Sequence, residues 1–163
     1  MKDPEFASSI ADSPICRELY YAIRLLVKPG SKVLELGSGR GSTPALAPIY
    51  DLRSIEHKPD FVGMYNNKEN YIYIPLGEMS FYERSLIKKI DFKYDLLLVD
   101  GPDEENRPEA FMNNCDLFDK NVPWVFDDYA YRQVWSDCME ETAKRTGKEF
   151  LVFNTCKPFC VLL

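Results

Sequence analysis

The stretch Val33-Leu34-Glu35-Leu36-Gly37-Ser38-Gly39-Arg40-Gly41 decides the fold. An apolar strand runs into glycines at alternate positions, and Ser42 and Thr43 follow, both able to cap a helix. Glycine tolerates positive φ and lets backbone N–H groups approach a ligand closely. The spacing is G-x-G-x-G and not the G-x-G-x-x-G of a dinucleotide fold, because position 42 is Ser. Glu35 stands two residues before Gly37, where a carboxylate would repel a pyrophosphate; a cofactor carrying a cation fits better. The glycines by themselves also suit an ordinary tight turn.

Outward from this loop, strands alternate with helices. Ile15, Leu19, Ala22, Ile23 and Leu26 recur at helical spacing and predict a helix over 13–26, stopped by Pro29-Gly30. Strands are predicted at 32–36, 52–56, 71–74, 94–100, 122–127, 150–154 and 159–163. Helices are predicted at 59–66, 81–89, 108–118 and 131–144. Pro44 and Pro48 leave only a turn or two for the helix after the glycine loop. Alternating strands and helices imply right-handed crossovers and a mostly parallel sheet. The last two strands share a short turn, so that pair must be antiparallel. The expectation is an α/β three-layer sandwich on a seven-stranded, mostly parallel sheet with an antiparallel C-terminal strand.

A chain of 163 residues is expected to form one domain, 1–163, with a core that needs no staples. Hydrophobic residues at 45% and charged residues at 28% exclude a disordered chain. Residues 1–6 read as cloning-derived sequence, and 1–12 are expected to be flexible. With 20 Lys+Arg against 26 Asp+Glu the net charge is −6, which argues against non-specific nucleic-acid binding. No apolar run nears 18 residues, so no membrane partner is expected and the protein reads as soluble and cytoplasmic. Five cysteines, one histidine and no C-x-x-C pair leave little for a Cys/His zinc site. The thiols read as reduced and mostly buried; Cys156 and Cys160, bracketing a Lys-Pro-Phe turn, are the only spacing that suggests a disulfide.

Acidic residues close three other strands. Glu56 ends the second, where a carboxylate can accept both hydroxyls of a ribose or simply be solvated beside Lys58. Asp100 ends the unbroken run Leu96-Leu97-Leu98-Val99, and Asp127 and Asp128 end the fifth strand. In a parallel sheet these ends share one rim, and carboxylates converging there repel unless a cation or protons compensate. Hard oxygen ligands suit Mg²⁺, Mn²⁺ or Ca²⁺. The plainer alternative has Asp127 capping the next helix and Asp128 solvated. Tyr129, Tyr131, Trp135 and Phe81 suggest either an aromatic substrate rim or helix faces packed on the sheet.

In Glu35, Gly37, Gly39 and Gly41 the sequence resembles the class I S-adenosylmethionine-dependent methyltransferases, whose Rossmann-like fold matches the predicted element order. The resemblance implies that Gly37, Ser38, Gly39 and Gly41 cradle the methionine part of S-adenosyl-L-methionine, with Glu35 facing its amino-acid end. It also implies that Glu56 binds the ribose with His57 beside it, that Leu76 lies against the adenine, and that Asp100 faces the methyl donor. Asp100, Asp127 and Asp128 are similar to the metal ligands of the catechol O-methyltransferase-like branch, as are Val99-Asp100-Gly101-Pro102 and Arg107-Pro108-Glu109-Ala110 to its small members. The branch's lysine after the fourth-strand Asp is replaced by Asp103-Glu104-Glu105-Asn106-Arg107, and Arg107 is too basic to accept a proton.

The expected activity is methyl transfer to an oxygen nucleophile of an unidentified acceptor, with Asp100 as the catalytic residue and a divalent cation assisting. A metal-independent N-methyltransferase acting on a macromolecule, an aminopropyltransferase, or a cofactor-binding module without turnover stay open beside it. No cap domain is expected, so the site would be covered by loops, by a macromolecular acceptor or by a second subunit of a homo-oligomer.

Overall fold

The computed structural model of the chain describes residues 4–8, 14–102, 105–128 and 133–163. Its sheet strands are β1 (Lys32–Leu36), β2 (Asp51–Glu56), β3 (Tyr71–Tyr73), β4 (Leu96–Val99), β5 (Trp124–Phe126), β6 (Phe150–Phe153) and β7 (Phe159–Leu162). The helices are α1 (Arg17–Leu26), α2 (Ser42–Leu46), α3 (Arg84–Ile87), α4 (Arg107–Met112) and α5 (Gln133–Thr146). The seven strands form one sheet in the order β3-β2-β1-β4-β5-β7-β6. Every pairing from β3 to β5 is parallel, and β7 runs antiparallel to both β5 and β6. The predicted architecture is therefore the observed one, a Rossmann-like three-layer α/β sandwich.

Period-two alternation assigns the two faces. Val33, Leu52, Leu96, Leu98 and Val125 pack beneath α1 and α2 with Leu19, Ile23 and Leu46. Leu34, Leu36, Leu97, Val99, Trp124 and Phe126 face the other way, toward α3, α4 and α5. Phe111 of α4 anchors that second layer, stacked on Phe118 at 5.3 Å and edge-on to Phe126 at 4.9 Å and Trp124 at 5.5 Å. Both faces of β4 are buried, which is why its sequence is an unbroken apolar run.

Several predicted helices are shorter than expected. The stretch 59–66 makes only one 3₁₀ turn, Pro59–Phe61. Gly63 there has φ +84°, and the Asn66 side chain accepts from Asn67 N at 2.8 Å, local bonding that competes with a helix. At 81–89 only α3 is helical, because Phe81 and Tyr82 are drawn into the core and Gly77 N donates to Phe81 O at 2.7 Å. The 108–118 prediction divides into α4 and a 3₁₀ turn at Cys115–Leu117. Within the N-terminal stretch expected to be flexible, Phe6 and Ala7 are packed. Phe6 lies edge-on to Tyr20 at 5.4 Å, and Ala7 N donates to Ile15 O at 3.0 Å. Cys156 and Cys160 are free thiols rather than a disulfide: Cys160 is buried on β7, and Cys156 is exposed in the preceding turn. No helix among the described residues is long and apolar enough to cross a membrane.

Gly37 is where the fold tolerates no side chain. Its φ is +79°, and a Cβ there would lie 2.6 Å from the Cα of Gly101, against backbone that has no freedom to give way. Gly30 has a similar φ, +84°, with open space around it. Gly30→Ala should cost about 1–2 kcal/mol, the penalty of a left-handed non-glycine residue. Gly37→Ala should cost clearly more, because the clash adds to that penalty. Urea unfolding of both variants checks this, and equal losses would contradict it.

Candidate active site

Consecutive strands run outward from β1 to β3, then the chain returns to place β4 on the other side of β1. That reversal opens a crevice at the carboxyl ends of β1 and β4, the place where open α/β sheets bind ligands. A cavity of about 280 Å³ lies there. Its floor is the loop from Gly37 to Ser42, one wall is Glu56 to Lys58 with Phe61, and the other is Asp100, Gly101, Arg107, Asp127 and Asp128. Ile15 and Lys157 complete the rim. The glycine loop is docked at its base, where Gly37 N donates to Ile55 O at 2.9 Å and Asp100 N to Leu36 O at 2.9 Å.

Glu35 does not reach this cavity. It is fully buried, on the face of β1 that looks toward α2, beneath the glycine loop. Ser42 Oγ lies 2.6 Å from its Oε1, and Thr43 Oγ1 and Ser54 Oγ donate to its Oε2 at 2.8 and 2.5 Å. Thr43 Oγ1 in turn accepts from Gly39 N at 3.0 Å. The expectation that Glu35 faces a cofactor is corrected: the carboxylate acts one layer down, tying the start of α2 and the middle of β2 to β1 through hydroxyls. Burial pushes its pKa up to about 7, against the three hydroxyls that pull it down. Ser42 Oγ is also 2.9 Å from Asp100 Oδ2. A hydroxyl carries one proton, so both short contacts are hydrogen bonds only when one of the two carboxyls is itself protonated.

Glu56 stands at the cavity wall, 2% exposed. Its Oε2 accepts from Ser38 N at 3.0 Å and Ser38 Oγ at 2.9 Å, and its Oε1 from the N–H groups of His57 and Lys58, both at 2.7 Å. It is not a solvated glutamate but a brace between β2 and the glycine loop, and any diol would compete with the Ser38 hydroxyl for Oε2. The His57 ring sits with Nδ1 3.1 Å from Glu56 Oε1 and edge-on to Tyr82 at 6.1 Å. Leu76 is corrected: it pairs with Tyr82 through an isolated β-bridge and packs on the core, outside the cavity lining. Phe81 and Trp135 are buried at 1% and 7% exposure and form no substrate rim, while Tyr129, Tyr131 and Asp103 lie outside the described residues.

Asp100, Asp127 and Asp128 do converge, with one carboxylate oxygen from each within 4.8 Å of the others. Asp127 Oδ1 accepts from Asp128 N at 3.0 Å, and Asp128 turns the chain with φ +59°; the residues between this turn and α5 lie outside the described residues. Burial raises Asp100 and Asp127 far above the usual carboxylate range; the charges of Asp128 and Glu35 raise Asp100 further, and those of Asp100 and Asp128 raise Asp127. Two cations stand beside them, Arg107 and Lys157, of which no sequence spacing singles out the second. Arg107 brings Nη1 to 3.7 Å from Asp100 and Nη2 to 3.6 Å from Asp128, and Lys157 Nζ is 3.8 Å from Asp127. Burial pulls the Lys157 ammonium down, but Asp127, Asp128 and Asp100 outweigh it and leave its pKa raised. All three ion pairs are longer than hydrogen bonds, and Nε and Nη1 of Arg107 are buried with no hydrogen-bond partner. Three carboxylate oxygens within 4.8 Å of one another are a donor set and spacing that fit a small hard divalent ion.

No protein-family model and no curated protein matches this sequence. Solved structures match its fold along nearly the whole chain. Precorrin 8w decarboxylase of Methanobacterium thermoautotrophicum is 16% identical, with 99% of this chain and 97% of that one covered at a TM-score of 0.61. Aeropyrum pernix fibrillarin with natively bound S-adenosyl-L-methionine is 16% identical, with 96% and 85% covered at 0.61. A Staphylococcus aureus protein provisionally named a caffeoyl-CoA O-methyltransferase is 18% identical, with 92% and 85% covered at 0.61. The chain has the Rossmann-like fold of the class I S-adenosylmethionine-dependent methyltransferases.

The buried carboxyls give stability a definite pH dependence. Below the ordinary carboxylate pKa, Glu35 is protonated folded or unfolded and contributes no slope. Above it the unfolded chain releases the proton first, so stability falls as pH rises toward about 7 and levels beyond. Urea unfolding at pH 5, 6.5 and 8 should show a decline of a few kcal/mol for the metal-free wild type. Glu35→Gln should flatten it, with Asp100 and Asp127 responsible for the remainder. Equal slopes in the two proteins would contradict the burial argument.

Proposed function

We propose that this chain binds S-adenosyl-L-methionine over the Gly37–Gly41 loop and transfers its methyl group to an oxygen nucleophile, with a divalent cation at Asp100, Asp127 and Asp128. The observation that carries this reading is the cavity in which the glycine loop, Glu56 and Asp100 meet at the reversal of strand order. Space above Gly39 is open: a Cβ there would have only the Asp100 carboxylate, at 3.7 Å, and the N of Gly41, at 4.0 Å, within 4 Å. A ligand on the loop therefore lies directly beside Asp100. The fibrillarin structure of the same fold holds the same cofactor natively.

The reaction is an in-line displacement at the sulfonium methyl. The acceptor hydroxyl gives up its proton to the Asp100 carboxylate or to water, its oxygen forms the new bond to carbon, the carbon–sulfur bond breaks, and S-adenosylhomocysteine leaves as a neutral thioether. Little covalent chemistry falls to the protein, so orientation of the acceptor supplies much of the rate. Glu56 and Ser38 hold the ribose side, and Asp100 lies between donor and acceptor. A bound Mg²⁺ or Mn²⁺ would orient the acceptor hydroxyl and lower its pKa. A second reading has its own observation: Arg107 and Lys157 already stand against the three carboxylates, so transfer without metal is the outcome if no cation binds.

Calorimetry should detect S-adenosylhomocysteine binding to the wild type, and Gly39→Val, which fills the space above the loop, should abolish it. Glu56→Ala should weaken binding by about 1–3 kcal/mol while the chain stays folded. Absence of heat from the wild type, or unchanged affinity in both variants, would overturn the cofactor assignment. For the metal, millimolar Mg²⁺ or Mn²⁺ should raise the melting temperature, and the double variant Asp127→Asn, Asp128→Asn should remove that rise. If neither ion shifts melting, the site works without metal.

A further inference from the structure

A second cluster of metal-ligating side chains lies where the chain enters α1 and where β6 turns into β7. Cys16, Glu18 and Cys156 each bring one ligand atom within 4.8 Å of the others. Cys16 Sγ donates to Glu18 Oε2 at 2.9 Å, and Cys156 Sγ lies 3.7 Å from the carbonyl oxygen of Ala7. Cys16 is buried while Glu18 and Cys156 are exposed, so the cluster opens to water on one side.

We propose that Cys16, Glu18 and Cys156 form a binding site for one thiophilic divalent cation of the zinc type. Zn–S bonds of about 2.3 Å in a tetrahedron set two sulfurs a little under 4 Å apart, inside the observed separation limit. Three protein ligands leave the fourth position to water, which can reach it from the exposed side. Two thiolates, a carboxylate and a divalent ion sum to one negative charge. Arg17, which acts electrostatically on Glu18, and Lys157, which acts on Cys16, stand ready to answer that charge. Burial holds the Cys16 thiol protonated when it is alone; a cation displaces that proton and takes over its hydrogen bond's place.

Sulfur ligation distinguishes this site from the oxygen-only cluster at Asp100, which suits hard ions. The position also has a consequence for the cavity. Ile15 and Lys157 are sequence neighbours of the two thiols and both line the cavity. A cation here would tie the start of α1 to the β6–β7 turn and fix that side of the cavity rim.

The test uses the full chain in a phosphine reductant. Titration with Co²⁺ should give a thiolate-to-cobalt charge-transfer band that saturates at one ion per chain and is erased by Zn²⁺. Cys156 is exposed in a turn, so Cys156→Ser should stay folded, lose the band and bind Zn²⁺ at least ~100-fold more weakly in competition with a chromophoric chelator. Glu18→Gln should weaken binding and keep the band. Cys115→Ser, outside the cluster, should bind as the wild type does. Absence of a charge-transfer band in the wild type, or a band and affinity that survive Cys156→Ser, would overturn the proposal.

Discussion

Glu35 is the constraint on which the site depends. One fully buried carboxyl, two residues before the glycine loop, gathers hydroxyls from Ser42 and Thr43 of α2 and from Ser54 of β2. Through Thr43 it steadies Gly39, and through Ser42 it reaches Asp100 at the end of β4. An isolated buried carboxylate would be expensive, and these hydroxyls are what make it tolerable. In return, the start of α2 and the middle of β2 are tied to β1 without any side chain intruding into the space above the loop. Glu56 does the same on the other flank, holding Ser38 through two hydrogen bonds. The open surface over the glycines is thus a consequence of two acids working beneath and beside it.

The opposite wall is built on charge rather than hydroxyls. Asp100, Asp127 and Asp128 end adjacent parallel strands, so the topology itself forces them together. Arg107 from α4 and Lys157 from the β6–β7 turn keep the assembly from flying apart, but neither closes a hydrogen bond with a carboxylate. Arg107 instead rests over the Trp135 ring at 5.0 Å. That loose balance leaves the three carboxyl groups without a close ionic partner among these two cations.

Much of this was legible in the sequence because it is local. The β1 strand and its glycine loop are contiguous, and β4 announces burial on both faces by an unbroken apolar run. Acids at strand ends could be placed on one rim from the parallel topology alone. The failures are of a different kind. Glu35 was misplaced because spacing locates it near the loop yet says nothing of which face of β1 it occupies relative to α2. Leu76 was misplaced because its bridge to Tyr82 is a tertiary choice. Lys157 carries no spacing signal, since its neighbour in space, Asp127, is 30 residues away in sequence. The helix expected at 59–66 does not form for a reason visible in the sequence, Gly63 and the asparagines after it.

The proposed place of S-adenosyl-L-methionine is the surface over the glycine loop, flanked by Glu35 beneath and Glu56 beside it. The most direct measurement is a crystal structure of the chain with S-adenosylhomocysteine. The amino-acid end of the ligand should lie against Gly37–Gly41, its ribose at Glu56 and its sulfur facing Asp100. Ligand density elsewhere on the molecule, or a Glu56 that keeps all four protein donors while the ribose lies away from it, would contradict that placement.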